Sequence, residues 1–331
     1  QLLIDGRQGD DEIDLQGLLS TSNGLDAAIA DVTILGGAGS DRIVVGENTR
    51  TLTVIGGETA DAAFGGDAVQ VIDGGNTRVT LRGDDSFEID FKDDPALDID
   101  ATEVERVEAE GTDALGEVLL VQGRNVDSDP FFPQDERITV TSDPIFGFAV
   151  QFAENGETVS AIDFEEFVVE GRDGDDVIDI SGLAQSDPTG LDTTLSAVRL
   201  LGGAGSDRFV TSSTSHVATV IGGEIGDSAF GGDVVELLDA GNVTVTYNDL
   251  EAFSVDYGSD ASVEVDATEI ERIEARGTAA LGETLSIQGR SADPDPFFPQ
   301  DERIILETDA IAGFIATLAE NGEVITGIDF E

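Results

Sequence analysis

The sequence contains no cysteine, no methionine and no tryptophan, and it has a single lysine, Lys92, and a single histidine, His216. The lack of cysteine excludes disulfide bonds and metal sites built from thiolates. His216 stands in no catalytic motif, so the sequence gives no sign of a Ser-His-Asp triad. No apolar run approaches the roughly 18 residues that a membrane-spanning helix needs. These absences favour neither an enzyme nor a protein inserted in a membrane.

Basic residues are also scarce. The chain has 331 residues, of which 70 are acidic and 16 are lysine or arginine, giving a formal net charge of −54. Such a charge repels nucleic acid and anionic membranes, and it destabilises the compact state unless cations neutralise it. Two explanations stay open, namely bound divalent ions or a surface adapted to a high-salt habitat. Because 40% of the residues are hydrophobic, the chain can still bury a core.

A long internal duplication organises the chain. DATEVERVEAEGTDALGE at Asp100 returns as DATEIERIEARGTAALGE at Asp266, and DPFFPQDERI at Asp129 returns unchanged at Asp295. We therefore predict two repeats, residues 1–165 and 166–331. No atypical segment caps either repeat, which favours a tandem array over an ordinary two-domain duplication.

Within each repeat, apolar residues alternate with polar ones, for example at Val32 and Ile34 and at Leu52 and Val54. This period of two predicts short strands, and no segment shows a convincing helical stripe. The one alternative, a helix over ATEVERVEAEGTDALGE, is less favoured than a strand. Glycines at 56, 65 and 74 recur every nine residues, enough for a turn and a short strand, and two such steps would close one coil of a parallel β-roll. The predicted fold is therefore all-β, with β-roll or β-solenoid-like units; a small β-sandwich at 112–165 is the open alternative.

The segments GGAGSDRIV at Gly36 and GGAGSDRFV at Gly202 combine three glycines with one aspartate and a following strand. The glycines permit backbone angles closed to other residues and aim carbonyl oxygens inward, and Asp41 and Asp207 each add a carboxylate. Ile43 is expected to anchor the turn in the core. Such hard oxygen ligands suit calcium. Plain glycine–aspartate turns without a metal are the alternative.

These segments resemble the RTX, or haemolysin-type, calcium-binding nonapeptide G-G-x-G-x-D-x-U-x of long bacterial or archaeal surface proteins. Looser matches start at Gly6 and Gly171, where Arg7 and Arg172 replace the second glycine, and at Gly56 and Gly222. The resemblance implies several calcium ions per chain. The candidate ligands are Asp10, Asp11, Gly36, Gly37, Gly39, Asp41, Asp61, Asp67, Asp175, Asp176, Gly202, Gly203, Gly205, Asp207, Asp227 and Asp233.

The segment DPFFPQDERI places two phenylalanines between prolines. Phe131 and Phe132 are expected to cover one end of a local core, or else to contact a neighbouring repeat. Asp135 and Glu136 are expected to lie in a solvated loop rather than to bind a cation.

Three functions remain open. The favoured hypothesis is a non-enzymatic, extracellular or cell-surface protein, such as a filament, surface-layer, adhesin-stalk or matrix component, stiffened by calcium. Its partners would be copies of itself, or cell-surface polysaccharide held through calcium, and neither nucleic acid nor a membrane interior. The second is a β-helical lyase or epimerase acting on acidic polysaccharide, although basic and aromatic residues to bind such a sugar are few. The third is a halophilic surface protein whose acidity has no metal role.

Overall fold

The chain forms strands and no helix in the part that the computed structural model describes. None of its described segments is a helix that is long and apolar enough to cross a membrane. The described residues are 1–16, 31–46, 52–57, 66–91, 99–112, 116–124, 135–153, 156–183, 195–213, 216–223, 232–249, 251–258, 263–278, 283–288, 304–309, 313–318 and 324–328.

The chain divides into two compact units. Unit 1 comprises Gln1–Val126, Thr141–Glu170 and Asp187–Ser196, and unit 2 comprises Asp127–Val140, Gly171–Ser186 and Ala197–Glu331. Each unit therefore contains a segment from the other predicted repeat. Residues 127–140, which include all of DPFFPQDERI, belong to the first repeat in sequence and to unit 2 in structure, although Phe131 and Phe132 lie outside the described residues.

The first half of the chain contains fourteen described strands. They are β1 (Leu2–Gln8), β2 (Glu12–Asp14), β3 (Val32–Ala38), β4 (Arg42–Val45), β5 (Leu52–Ile55), β6 (Ala68–Val71), β7 (Thr77–Gly83), β8 (Ser86–Phe91), β9 (Ile99–Thr102), β10 (Arg106–Glu110), β11 (Val118–Gln122), β12 (Arg137–Asp143), β13 (Gly147–Phe152) and β14 (Thr158–Ile162).

The second half repeats this series. Its strands are β15 (Glu166–Asp173), β16 (Val177–Gly182), β17 (Ala197–Ala204), β18 (Arg208–Ser212), β19 (Ala218–Ile221), β20 (Val234–Leu238), β21 (Asn242–Asp249), β22 (Ala252–Tyr257), β23 (Val265–Thr268), β24 (Arg272–Arg276), β25 (Thr284–Gln288), β26 (Ile304–Asp309), β27 (Gly313–Leu318) and β28 (Val324–Ile328).

Each unit contributes strands to two sheets, A and B. In unit 1 the order is β1-β3-β5-β9-β8-β7-β11-β15 in sheet A and β2-β4-β6-β10-β14-β13 in sheet B. In unit 2 the order is β17-β19-β23-β22-β21-β25 in sheet A and β12-β16-β18-β20-β24-β28-β27-β26 in sheet B. The chain alternates between the sheets, so successive coils stack with parallel strands. The all-β, β-roll-like fold predicted from the sequence is confirmed.

Register is continuous along the stacked coils. Leu2, Val32, Leu52 and Ile99 are consecutive partners in the parallel ladder of sheet A. Because side chains alternate along a strand, this register aligns apolar positions on one face. The interior positions Ile34, Ile43, Val54, Val69, Leu200, Phe209, Val220 and Val235 are all fully buried. The predicted role of Ile43 as a core anchor is confirmed.

An antiparallel hairpin interrupts the parallel coils of each unit. In unit 1, β7 pairs antiparallel with β8, and β8 pairs antiparallel with β9. Unit 2 repeats this arrangement with β21, β22 and β23. The segment GGNTRVTLR was predicted to be a step of the parallel roll; its strand, β7, pairs in parallel with β11 on one side but antiparallel with β8 on the other. The predicted pair of nine-residue steps therefore does not describe this coil.

Two other expectations concern the segment from residue 101 to residue 165. The described part of ATEVERVEAEGTDALGE contains the end of β9 and all of β10, so the preference for strand over helix is confirmed there. Among the described residues of 112–165 there is no separate β-sandwich. There β11 pairs with β7 and β15 in sheet A, and β14 pairs with β10 in sheet B.

Candidate metal centre

One acidic residue stands immediately before each parallel strand of sheet B that directly follows a sheet A strand in the chain. Since coils in register stack equivalent residues about 4.8 Å apart, these side chains form a column in each unit. We call them the acidic columns: Asp11, Asp41, Asp67 and Glu105 in unit 1, and Glu136, Asp176, Asp207, Asp233 and Glu271 in unit 2. All except the half-buried Asp11 are buried, and Asp67 and Asp176 are 0% exposed.

Hydrogen bonds join the coils through these carboxylates. In unit 1 the main-chain N–H of Asp11 donates to Asp41 Oδ1 at 2.8 Å, and that of Asp41 donates to Asp67 Oδ1 at 2.7 Å. The N–H of Asp67 then donates to Glu105 Oε2 at 2.7 Å. One oxygen of each acceptor carboxylate is thus used to hold the preceding coil.

The column of unit 2 repeats this pattern. The N–H of Glu136 donates to Asp176 Oδ1 at 2.7 Å, and that of Asp176 donates to Asp207 Oδ1 at 2.8 Å. The N–H of Asp207 donates to Asp233 Oδ1 at 2.7 Å, and that of Asp233 donates to Glu271 Oε2 at 2.6 Å. The same series of main-chain to carboxylate hydrogen bonds is therefore present in both units.

The second oxygen of each aspartate faces the glycine that opens its turn. A Cβ atom at Gly36 would lie 2.5 Å from both Asp41 Oδ2 and the carbonyl oxygen of Gly56 in the next coil. At Gly171 a Cβ atom would lie 2.8 Å from the carbonyl oxygen of Gly202 and closer still to Asp176 Oδ2. Glycine is required at these positions because any side chain would collide with the two oxygens. Each turn therefore brings one carboxylate oxygen and one main-chain carbonyl oxygen together.

Asp11 Oδ2 and Asp176 Oδ2 are among the buried carboxylate oxygens that accept no hydrogen bond. An oxygen of this kind normally costs free energy unless a donor or a cation satisfies it. Burial, together with the negative charges of Glu136, Asp207 and Asp135, raises the pKa of Asp176 to about 8, against the opposing effect of the hydrogen bond from the Glu136 N–H. The interior of the column therefore favours a proton or a cation beside Asp176.

A second, outer row of aspartates lies at the preceding position of the turn. Asp10 Oδ1 accepts the N–H of Ser40 at 3.1 Å, and Asp175 Oδ1 accepts the N–H of Ser206 at 2.8 Å. Asp10 and Asp175 are exposed, and their hydrogen bonds tie neighbouring turns together at the surface.

The structure places eight of the ten candidate aspartates in the acidic columns or in the outer row. Asp11, Asp41, Asp67, Asp176, Asp207 and Asp233 stand in the acidic columns, and Asp10 and Asp175 stand outside them. The turn glycines Gly37, Gly39, Gly203 and Gly205 have φ of 113°, 131°, 116° and 138°, as the motif predicts. Gly36 and Gly202 each open a turn beside an aspartate Oδ2. Asp61 and Asp227 lie outside the described residues, and Asp67 and Asp233 fill the column position of their coils.

Sequence reasoning missed the glutamates of the columns. Glu136 was expected in a solvated loop; this expectation is wrong, since Glu136 is 1% exposed and its N–H is bonded to Asp176. Glu105 and Glu271 end the described hydrogen-bonded series in units 1 and 2. The available signal was an acidic residue directly before an alternating apolar strand, because DERI at 135 has the same pattern as SDRI at 40.

Within the described residues, no group of three or more acidic or histidine side chains is placed to hold a metal by itself. A cation in these columns would therefore take main-chain carbonyl oxygens, such as that of Gly202, in addition to a carboxylate. Calcium accepts such mixed sets of six to eight oxygens with flexible geometry. The donor chemistry at Asp176 thus fits calcium, although the side chains alone do not form a complete ligand set.

No family model, no curated protein and no solved structure matches this chain. The similarity to the RTX nonapeptide thus depends on the motif residues themselves.

Proposed function

We propose that this chain is an extracellular structural tandem-repeat protein whose β-roll folds and stiffens when it binds calcium. The observation that carries the proposal is the buried Asp176 carboxylate, with one oxygen held by the neighbouring coil and the other facing a glycine carbonyl. The same turn recurs at Asp41 and Asp207.

Charge supplies the driving force for cation binding. Two unit charges about 4 Å apart repel by about 4 kcal/mol at an effective dielectric constant of about 20. A column of ionised carboxylates spaced by one coil therefore opposes the stacking that its hydrogen bonds favour. A divalent cation between two coils would replace this repulsion with attraction and would cross-link the turns. Because the unfolded chain has no preformed site, binding energy would appear as folding energy.

The donor types favour calcium over other metals. Carboxylates and carbonyls are the hard ligands that calcium, magnesium and manganese accept, whereas zinc and copper select the thiolate and imidazole that this sequence lacks or barely contains. Magnesium demands near-ideal octahedral geometry and retains water. Main-chain carbonyls fixed in a β-turn suit the more flexible calcium shell.

The arginines support a structural role over polysaccharide cleavage. Arg42 contacts Glu108 at 2.6 Å, and Arg208 contacts Glu236 at 2.8 Å and Glu274 at 2.9 Å. These guanidinium groups lie on the strands of sheet B, already paired with carboxylates. A lyase or epimerase for an acidic sugar would need such groups in a cleft.

For a structural protein of this kind, the partners would be other copies of the chain, or surface polysaccharide bridged through calcium.

The test is a calcium titration of the chelator-treated chain, followed by far-UV circular dichroism and binding heat. We expect several calcium ions per chain and a gain of β signal or of thermal stability that magnesium and sodium do not reproduce. Asp207→Asn should lower the stoichiometry, because it removes one buried carboxylate charge while keeping the shape of the side chain. Asp266→Asn is the matched control, since Asp266 lies exposed on β23.

Two results would contradict the proposal. One is equal calcium binding by Asp207→Asn and the wild type. The other is equal stabilisation by sodium, which would favour the halophilic alternative.

A further inference from the structure

One short motif of the sequence lies outside the acidic columns and their turns. Asn242, Val243 and Thr244 form the pattern N-x-[ST], the acceptor for attachment of a sugar to an asparagine side chain. The pattern occurs once in the 331 residues. A modified asparagine must lie at the surface of an exported protein, so the place of Asn242 in the fold decides whether the motif can act.

The strand β21, which begins at Asn242, places the asparagine and the threonine on one face. Side chains alternate along a strand, so Asn242 and Thr244 point to one side of sheet A and Val243 points to the other. Asn242 is exposed and Thr244 is half-buried, whereas Val243 is 2% exposed. Because β21 is paired on both sides, with β22 and with β25, Asn242 lies on the outer face of the sheet and not on an open edge. A sugar on Asn242 would extend into solvent without disturbing the core.

The repeat counterpart of Asn242 is Asn76, whose side chain has a structural role. Asn76 Oδ1 accepts the N–H of Val118, the first residue of the neighbouring strand β11, at 3.0 Å. In unit 2 the equivalent N–H, that of Thr284, donates instead to the main-chain carbonyl oxygen of Gly241 at 3.1 Å. The fold of unit 2 therefore does not use the Asn242 side chain for this contact.

The side chains around the motif are small in unit 2. Thr244 is the partner of Ser286 across β21 and β25, whereas its counterpart Arg78 is the partner of Leu120 across β7 and β11. A cavity of about 300 Å³ lies beside the motif, lined by Asn242, Val243, Thr244, Gly258, Thr284 and Ser286. Hydroxyl and amide groups both donate and accept hydrogen bonds, so this lining suits the hydroxyl groups of a sugar ring.

We propose that Asn242 is an N-glycosylation site that carries a glycan on the outer face of sheet A. Asn242 Nδ2 forms a bond to the anomeric carbon of a diphosphate-activated sugar, and the bond from that carbon to the diphosphate oxygen breaks. The diphosphate leaves with the electron pair, and Nδ2 gives one proton to a base of the transferase. The inference rests on the extracellular location in the proposed function and goes beyond it, because the modification involves no calcium.

Mass spectrometry of the chain recovered from the surface of its natural host tests the site. We expect the intact mass to exceed the mass calculated from the sequence. After proteolysis, the excess should lie on the peptide that contains Asn242 and be absent from the peptide that contains Asn76. The second peptide is the internal control, since Asn76 is followed by Thr77 and Arg78 and so lacks the hydroxyl group that the motif requires.

Substitutions at Thr244, produced in the same host, separate recognition of the motif from folding. Thr244→Ser keeps the hydroxyl group and should keep the added mass, whereas Thr244→Ala should lose it. Asn242→Gln should also lose it, and this variant covers the case in which Thr244→Ala fails to fold. Thr246→Ala is the matched control, because Thr246 is half-buried on the same face of β21 and lies outside the motif. Added mass on Thr244→Ala, or its loss from Thr244→Ser or Thr246→Ala, would overturn the proposal.

The outcomes distinguish this inference from the calcium proposal. A chain at the cell surface with no added mass on Asn242 overturns the inference, and its calcium titration still tests the proposed function separately. A chain that is glycosylated at Asn242 and shows no specific calcium response would contradict the calcium role alone. A chain found only inside the cell, without added mass, would contradict both the extracellular location and the glycan.

Discussion

Arg172 occupies a backbone conformation that suits glycine. Its φ is 86°, and the equivalent residue of the next coil is Gly203, with φ of 116°. The left-handed region costs a non-glycine residue about 1–2 kcal/mol. Glycine avoids this strain, but it loses about 0.5–1 kcal/mol more conformational entropy on folding, which reduces its advantage. Arginine at the second motif position is therefore tolerated at a cost in stability.

Arg172→Gly should accordingly raise the free energy of unfolding by about 0.5–1 kcal/mol relative to Arg172→Ala. The alanine variant controls for the lost side chain, since it keeps the Cβ atom and the strain. Urea unfolding of both variants in saturating calcium measures the difference. A more stable alanine variant would show that φ at this position relaxes in solution.

Asp176 makes the stability of the calcium-free protein depend on pH. Its pKa is raised to about 8 by burial and by the neighbouring carboxylates, whereas the unfolded chain has the ordinary value of about 3.9. Between these values the folded state binds a proton that the unfolded state does not. The contribution of Asp176 is therefore fully present below about pH 4 and is lost as the pH rises through about 8.

Urea unfolding in chelator from pH 5 to pH 9 should show this decline for the wild type and a shallower one for Asp176→Asn. Calcium should flatten the wild-type curve, because the cation takes the place of the proton. An unchanged slope in Asp176→Asn would assign the pH dependence to other groups.

At the scale of elements, the alternation of apolar and polar residues and the composition of the turns predicted where strands lie. They did not predict which strands pair with one another. The strands over 32–38 and 42–45 followed from period-two patterns flanked by glycine. The hairpin of β7 and β8 did not, because GGNTRVTLR has the same glycine-then-strand pattern as a parallel step. Pairing direction depends on which strand lies alongside, and this is settled by tertiary contacts.

The acidic columns show the same limit of prediction from local sequence patterns. The aspartates in clear motifs were found from sequence because glycines flank them. Glu136 was not, since its burial depends on stacking against Asp176, forty residues away in the chain. A local pattern marks the turn, whereas only the register between coils shows which carboxylate is enclosed.

At the scale of the molecule, two effects of cations must be separated. The net charge of −54 makes the compact state sensitive to ionic strength through diffuse screening, which needs no site. The acidic columns would respond to calcium through specific ligands. Sodium therefore tests the first effect, and calcium at constant high ionic strength tests the second.

A double variant, Asp41→Asn with Asp207→Asn, distinguishes them, because it removes two buried column charges of 70 acidic residues and leaves the overall field nearly unchanged. With chelator present, raising sodium chloride from about 0.01 M to about 1 M shortens the Debye length from about 30 Å to about 3 Å. The urea midpoints of wild type and double variant should then rise in parallel. Adding calcium at about 1 M salt should raise the wild-type midpoint further and that of the variant clearly less. Equal calcium responses would assign all stabilisation to screening, and the columns would then serve as hydrogen-bonded spacers between coils.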